Sequence, residues 1–209
     1  ASGKTLCYHL PTLEALHADP RARALYLFPT KALAQDQLRA LRELTEGHLP
    51  HIRAAIYDGD TPTAERSTIR ASSNIVLSNP DMLHVGILPN HPAWSRFLSR
   101  LKLVVIDEAH VYRGVFGSHV ALLLRRLRRL CRQYGSDPQF ICASATIGNP
   151  QEHLSALIGA DVALIEANGA PRGLRTVLFW NPPLLGATAD KRASTNIETT
   201  GLFAELVER

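Results

Sequence analysis

Strand-length apolar runs alternate with segments of helical period along most of this chain, and no other feature narrows the fold as far. RALYLF (23–28), RAAIY (53–57), NIVLS (74–78), KLVVI (102–106), QFICA (139–143), DVALIE (161–166) and RTVLFW (175–180) have the length and composition of strands. Between them, LCYHLPTLEALH, KALAQDQLRALREL, the 116–134 segment and PQEHLSALI space their apolar residues for one helix face. The alternation predicts an α/β fold with a mostly parallel sheet and helices on both faces. Pro11 predicts a kink or break in the first helix. Ligands of such sheets gather where strands end, so the residues after each run are the ones to inspect. They are PTKALAQ after LYLF, DGDT after AAIY, NPDML after IVLS, DEAH after LVVI and SAT after FICA.

Composition excludes several other classes. With 209 residues, 45% of them apolar, the chain can bury one core, or one domain and part of another. No run approaches the roughly 18 to 20 apolar residues of a membrane span and no signal peptide opens the chain, so no membrane partner and a cytoplasmic setting are expected. Cys7, Cys131 and Cys142 form no C-x-x-C pair, which argues for buried or half-buried thiols over a disulfide framework or zinc site. His48 and His51 flank a proline and read as a turn. A net charge of +4 permits a polyanionic partner without demanding one. Arg125, Arg126, Arg128, Arg129 and Arg132 interleave with Leu122, Leu123, Leu127 and Leu130, the pattern of an amphipathic helix with a solvated arginine face. From about Asn181 a Pro, Gly, Ala and Ser/Thr-rich connector leads to a last helical segment with Leu202, Phe203, Leu206 and Val207 on one face. The expected division is a domain over 1–180 and a connector with one helix over 181–209.

Two short stretches carry chemistry. Ser2, Gly3, Lys4 and Thr5 precede a helical pattern, where glycine lets a backbone approach phosphate and the helix N-terminus offers free N–H groups. Lysine there reaches the β- and γ-phosphates and the threonine hydroxyl ligates Mg²⁺. Asp107 and Glu108 close a buried apolar run, and two adjacent carboxylates in that position need a positive ligand or a catalytic task. Thr30, Thr61 and Asn79 each precede a helical pattern and suit helix capping. Ser144 and Thr146 suit a hydroxyl-rich turn capping the next helix.

Taken in order, these stretches resemble the superfamily 2 helicases of the DEAD/DEAH-box type. SGKT (2–5) is similar to motif I, PTKALAQDQ (29–37) to motif Ia, SNPDML (78–83) to motif Ib, DEAH (107–110) to motif II and SAT (144–146) to motif III. The resemblance spans positions 1 to about 180. It implies a RecA-like P-loop NTPase domain using ATP and Mg²⁺. Ser2, Gly3, Lys4 and Thr5 would cradle phosphate, Thr5 and Asp107 would hold the metal, and Glu108 would position the hydrolytic water. His110, Ser144 and Thr146 would relay between the nucleotide and the strand. Thr30, Lys31, Gly59, Thr61 and Asn79 would grip a phosphodiester backbone. The implied protein is an ATP-dependent DNA helicase acting on single-stranded or partly duplex DNA, with RNA left open. Its first motor domain would be entered inside motif I at Ala1, and a second RecA-like domain of the same parent chain would follow Arg209. Alone, these residues are expected to be nearly inactive, because arginines from the second domain complete the reaction. The tail GAPRGLRTVLFWNPP with STNIETTGLFAELVER is similar to bacterial and fungal helicases of the MrfA type, which points to DNA repair. A P-loop ATPase motor or switch acting on a protein partner stays open as the alternative.

Overall fold

The computed structural model describes residues 3–166, 176–185 and 191–207. Five strands, β1 (Arg23–Leu27), β2 (Ala54–Ile56), β3 (Ile75–Ser78), β4 (Leu101–Ile106) and β5 (Gln139–Cys142), form one parallel sheet in the order β2-β3-β1-β4-β5. They coincide with the first five expected runs. Helices α1 (Lys4–Ala18), α2 (Lys31–Thr45), α3 (Thr63–Ser72), α6 (Gly114–Gln133) and α7 (Pro150–Ile158) alternate with them. Two short pieces, α4 (Pro80–Met82) and α5 (Ser95–Leu98), are joined through a π turn at Leu83–Ile87 and a 3₁₀ turn at His91–Trp94.

The pleat sorts each strand's residues to opposite faces. Leu25, Leu27, Val76, Val104 and Ile106 meet Leu123, Leu124 and Leu127 of α6 and Leu154, Leu157 and Ile158 of α7. On the other face Ala24, Tyr26, Ile75, Leu77, Leu103 and Val105 meet Tyr8, Leu13 and Leu16 of α1 and Leu38 and Leu41 of α2. Full burial of such side chains contributes about 1.5–3 kcal/mol each, which is why β1, β3 and most of β4 read as continuous apolar runs.

Several sequence expectations are corrected. The break offered at Pro11 does not occur, since α1 runs on through that residue. The Thr12 hydroxyl donates to the Tyr8 carbonyl at 2.7 Å, and burial of Tyr8, Leu13 and Leu16 holds the two turns against the cost of the proline. Residues 161–166 form no strand, and Leu164 and Ile165 are exposed. Residues 176–180 are likewise extended coil with an exposed Phe179. An apolar run becomes a strand only where a neighbour takes its backbone hydrogen bonds, and no ladder reaches either segment among the described residues. Leu122 points to solvent, so the buried stripe of α6 runs through Leu123, Leu124, Leu127 and Cys131. Cys7 is exposed, not half-buried.

Compactness divides the chain between Ala167 and Asn168, ahead of the boundary expected at 180. In the second unit Trp180 Nε1 donates to Glu198 Oε2 of helix α8 (Thr195–Val207) at 3.1 Å, and Leu184 bridges Arg192 in antiparallel fashion. On α8 Leu202 is half-buried, while Phe203, Leu206 and Val207 are exposed.

Candidate nucleotide and nucleic-acid site

From β1 the chain goes outward to β2 and β3 on one side, then returns to β4 and β5 on the other. The strand order therefore reverses between β1 and β4, and the carboxyl ends of that pair open the crevice where open α/β sheets bind ligands. Asp107 follows β4 there, with its backbone N–H donating to Leu27 O at 3.1 Å.

Lys4 and Asp107, distant in sequence, come to this one edge. Gly3 takes a left-handed conformation (φ 69°) as the N-cap of α1 and supplies no capping side chain, so the first N–H groups of the helix face outward. Lys4 Nζ donates to Ser144 O, on the segment after β5, at 3.0 Å. One turn on, Tyr8 Oη donates to Asp107 Oδ2 at 2.9 Å, with the Thr5 hydroxyl beside the same phenol. Burial first, then the Asp107 charge, holds the Tyr8 phenol far above its ordinary pKa, so it stays protonated and donates to Asp107. Ser2 lies outside the described residues.

Asp107 is buried, and its Oδ1 accepts from the Glu108 N–H at 2.8 Å. Glu108 is the only non-glycine residue with positive φ (48°) among the described residues, a conformation that costs of order 1–3 kcal/mol and clusters at working sites. His110 Nδ1 lies 3.2 Å from Glu108 Oε2 and 3.2 Å from the Ala145 N. One ring nitrogen cannot satisfy both in one protonation state: bare, it accepts from Ala145; protonated, it donates to Glu108. The Ala109 N–H donates to Ala143 O at 2.9 Å, and the Ser144 hydroxyl donates to Ala145 O at 2.9 Å. The DEAH and SAT segments are thus directly joined. Thr146 is exposed, and helix α7 is capped from Asn149 without a side-chain bond, so the SAT hydroxyls do not cap it.

The expected strand-gripping residues fall at the same sheet edge in different states. Thr30 caps α2 through Leu33 N–H at 3.4 Å, and Asn79 caps α4 through Met82 N–H at 2.7 Å. Lys31 and Gly59 are exposed, with Lys31 Nζ 2.7 Å from Asp60 Oδ2. Thr61 is buried and caps no helix. Its hydroxyl receives the Asp58 N–H at 2.9 Å and lies 3.2 Å from Asp58 Oδ1, closing the DGDT turn, while Pro62 takes the N-cap position of α3. Among the clustered arginines, Arg125 donates to Ala156 O and Arg128 to Gly159 O, both at the carboxyl end of α7. That fixes part of the stripe to structure. Even so, Arg126 and Arg129 line a groove of about 960 Å³ with Asp81 and His84.

Sequence reading missed four buried or half-buried polar residues beneath this edge. His9 Nδ1 lies 3.3 Å from Tyr26 Oη and His9 Nε2 lies 3.1 Å from Gln37 Oε1, with the His9 and Tyr26 rings stacked at 5.7 Å. Burial lowers the His9 pKa to about 4, so the ring is neutral near pH 7. Tyr8 is the fourth. The available signal was YHLP, which puts two polar aromatics on the face of α1 that must be buried. His153 of α7 was missed as well, and it contacts Ala109 O at 3.1 Å.

This parallel sheet, with a glycine-lysine helix start facing an acidic strand end, defines a RecA-like nucleotide-binding domain. Residues 1–154 match the DEAD/DEAH box helicase family, to which the chain belongs. It is 51% identical over 208 residues to the ATP-dependent helicase YprA of Bacillus subtilis, covering 100% of this chain and 28% of that protein. To the ATP-dependent helicase HRQ1 of Saccharomyces cerevisiae it is 44% identical over 213 residues, covering 99% of the chain and 20% of that protein. A crystal structure of the DUF1998 helicase MrfA bound to DNA and AMPPNP superposes with a TM-score of 0.94 at 51% identity, covering 99% of this chain and 29% of that one. The chain thus spans less than a third of the length of these relatives. Among the described residues, no helix is long and apolar enough to cross a membrane.

Proposed function

We propose that this chain is the ATP-binding and nucleic-acid-binding motor domain of an ATP-dependent DNA helicase, coupling hydrolysis to strand translocation or unwinding. The observation that carries the reading is the convergence of Lys4 with the Ser144 backbone and of Tyr8 with Asp107 at the switch-point edge. The Lys4 ammonium is exposed, and its partner there is a neutral carbonyl that a phosphate oxygen can replace. Magnesium is held through one or two carboxylates together with substrate phosphates and waters. Thr5 and Asp107 fit that set, since each Asp107 oxygen takes one donor and keeps a lone pair. When bound, the metal and triphosphate supply a polarised γ-phosphoryl group for in-line displacement.

The remaining work belongs to the chain's own side chains. Lys4 and the outward N–H groups at the start of α1 bind and neutralise phosphate. Glu108, turned by its left-handed backbone, orients a water and takes its proton. His110 Nδ1, within reach of both, pairs with Glu108 when it carries a proton and with the Ala145 N–H when it does not, so proton transfer at Glu108 reaches the Ser144 to Thr146 segment. Thr30, Lys31, Gly59 and Asn79 hold a strand by its phosphates, because a capped helix end is also an anion site. Thr61 contributes by fixing the DGDT turn. A second RecA-like domain supplies arginines worth about 10³ to 10⁵ in rate, so turnover needs both domains. The DNA-bound MrfA structure supports DNA as the partner; a cytoplasmic setting and a role in DNA repair complete the proposal.

ATPase assay of the full-length protein with and without single-stranded DNA tests the reading. Turnover should rise with DNA, and Lys4→Ala should abolish it. Turnover indifferent to DNA would redirect the assignment to a motor acting on protein.

A further inference from the structure

Both carboxylate oxygens of Asp107 are already held by donors of the chain itself. Asp107 Oδ2 accepts from Tyr8 Oη at 2.9 Å, and Oδ1 accepts from the Glu108 N–H at 2.8 Å. Tyr8 is wholly buried, and its ring is wedged edge-on against His9 (4.7 Å, 78°) and Tyr26 (5.6 Å, 89°). His9 is in turn held by Tyr26 Oη and by Gln37 of α2, so the phenol has no room to swing away. A carboxylate oriented through a buried donor presents its free lone pairs in one direction. Such outer partners of metal ligands typically matter 10- to 100-fold for metal affinity or activity.

The location adds a second role. Tyr8 stands on the helix whose first turn carries Lys4 and Thr5, and Asp107 stands at the end of β4. Among the described residues no other side-chain hydrogen bond ties α1 to Asp107. Resting on the nucleotide reading above, we propose that Tyr8 is a positioning residue for Asp107: its buried phenol orients the carboxylate and fixes the phosphate-binding helix in register with the acidic strand end.

The test uses the full-length protein and reads metal dependence of binding instead of turnover. A fluorescent non-hydrolysable ATP analogue is titrated in EDTA and then across Mg²⁺ concentrations for wild type, Tyr8→Phe, Tyr26→Phe and Asp107→Asn. Tyr8→Phe keeps the ring and removes only the hydroxyl. The Mg²⁺ midpoint should rise about 10-fold or more in Tyr8→Phe, with affinity in EDTA unchanged. Tyr26→Phe loosens the same aromatic cluster without touching Asp107, and its midpoint should stay within twofold of wild type. A midpoint shift of equal size in Tyr26→Phe, or none in Tyr8→Phe while Asp107→Asn shifts, overturns the proposal. So does a Tyr8→Phe protein that fails to fold, because the hydroxyl would then serve the fold alone. If Asp107→Asn itself leaves the midpoint unmoved, the nucleotide reading fails and the positioning role goes with it.

Discussion

The two faces of the sheet are stabilised by different chemistry. Toward α6 and α7 the core is mostly aliphatic side chains with a few aromatics, and two of its buried polar atoms, Trp94 Nε1 and Tyr112 Oη, have no hydrogen-bond partner among the described residues. Toward α1 and α2 the core holds Tyr8 and Tyr26 with the buried polar residues His9 and Thr12 of α1, each with its polar atoms engaged. The first face can be read as packed volume. The second holds Lys4, Thr5 and Asp107 in register, and directional bonds do that where apolar contact, being non-directional, would not.

Mutations should separate the two faces. Leu124→Ala, on the apolar side and fully buried, should cost about 2–5 kcal/mol of unfolding free energy, with no change in the shape of stability against pH. Chemical denaturation at several pH values measures both.

On the polar side the pH response itself is diagnostic. His9 has a folded pKa of about 4, depressed by burial and partly restored by Gln37 and Asp107, against an ordinary value of 6.5. The unfolded chain therefore binds the extra proton first as pH falls. The His9 contribution, roughly 3 kcal/mol, is fully present above about pH 6.5 and is lost as pH falls toward 4. His9→Gln should flatten that limb of the denaturation profile, and an unchanged slope would remove the distinction between the faces.

Smaller effects belong to the rim. Thr30→Ala should cost about 1 kcal/mol as a lost N-cap and weaken strand binding, measured by denaturation and by fluorescence anisotropy with single-stranded DNA. Wild-type affinity should also fall with salt at a log-log slope of about −0.7 per phosphate contacted. Asp60→Asn should leave stability unchanged, since the Lys31 pair is exposed and such pairs contribute little. By freeing Lys31 it should slightly tighten strand binding at low salt.

How much of this was legible follows from the same contrast. Strands β1, β3 and β4 are buried on both sides, so they announce themselves as apolar runs, and Asp107 stands out because a charge ends such a run. DVALIE and RTVLFW have equal strand character, but forming a strand depends on a pairing neighbour that composition does not encode. Thr30 and Asn79 could be assigned as caps because capping is local. Thr61 could not, because its partner is Asp58 in a turn and not the helix that follows. Tyr8, His9, Tyr26 and Gln37 were invisible as a group, since their bonds join α1, β1, α2 and the end of β4 across the fold.

The central claim is that Lys4, Thr5 and Asp107 serve one metal-bound triphosphate. A crystal structure of the full-length protein with a non-hydrolysable ATP analogue and Mn²⁺, located by anomalous scattering, tests it most directly. The metal should lie between the Thr5 hydroxyl and the Asp107 carboxylate, with Lys4 Nζ moved from Ser144 O to a phosphate oxygen. Metal and phosphates bound elsewhere, with the contact from Lys4 to Ser144 intact, would contradict the account.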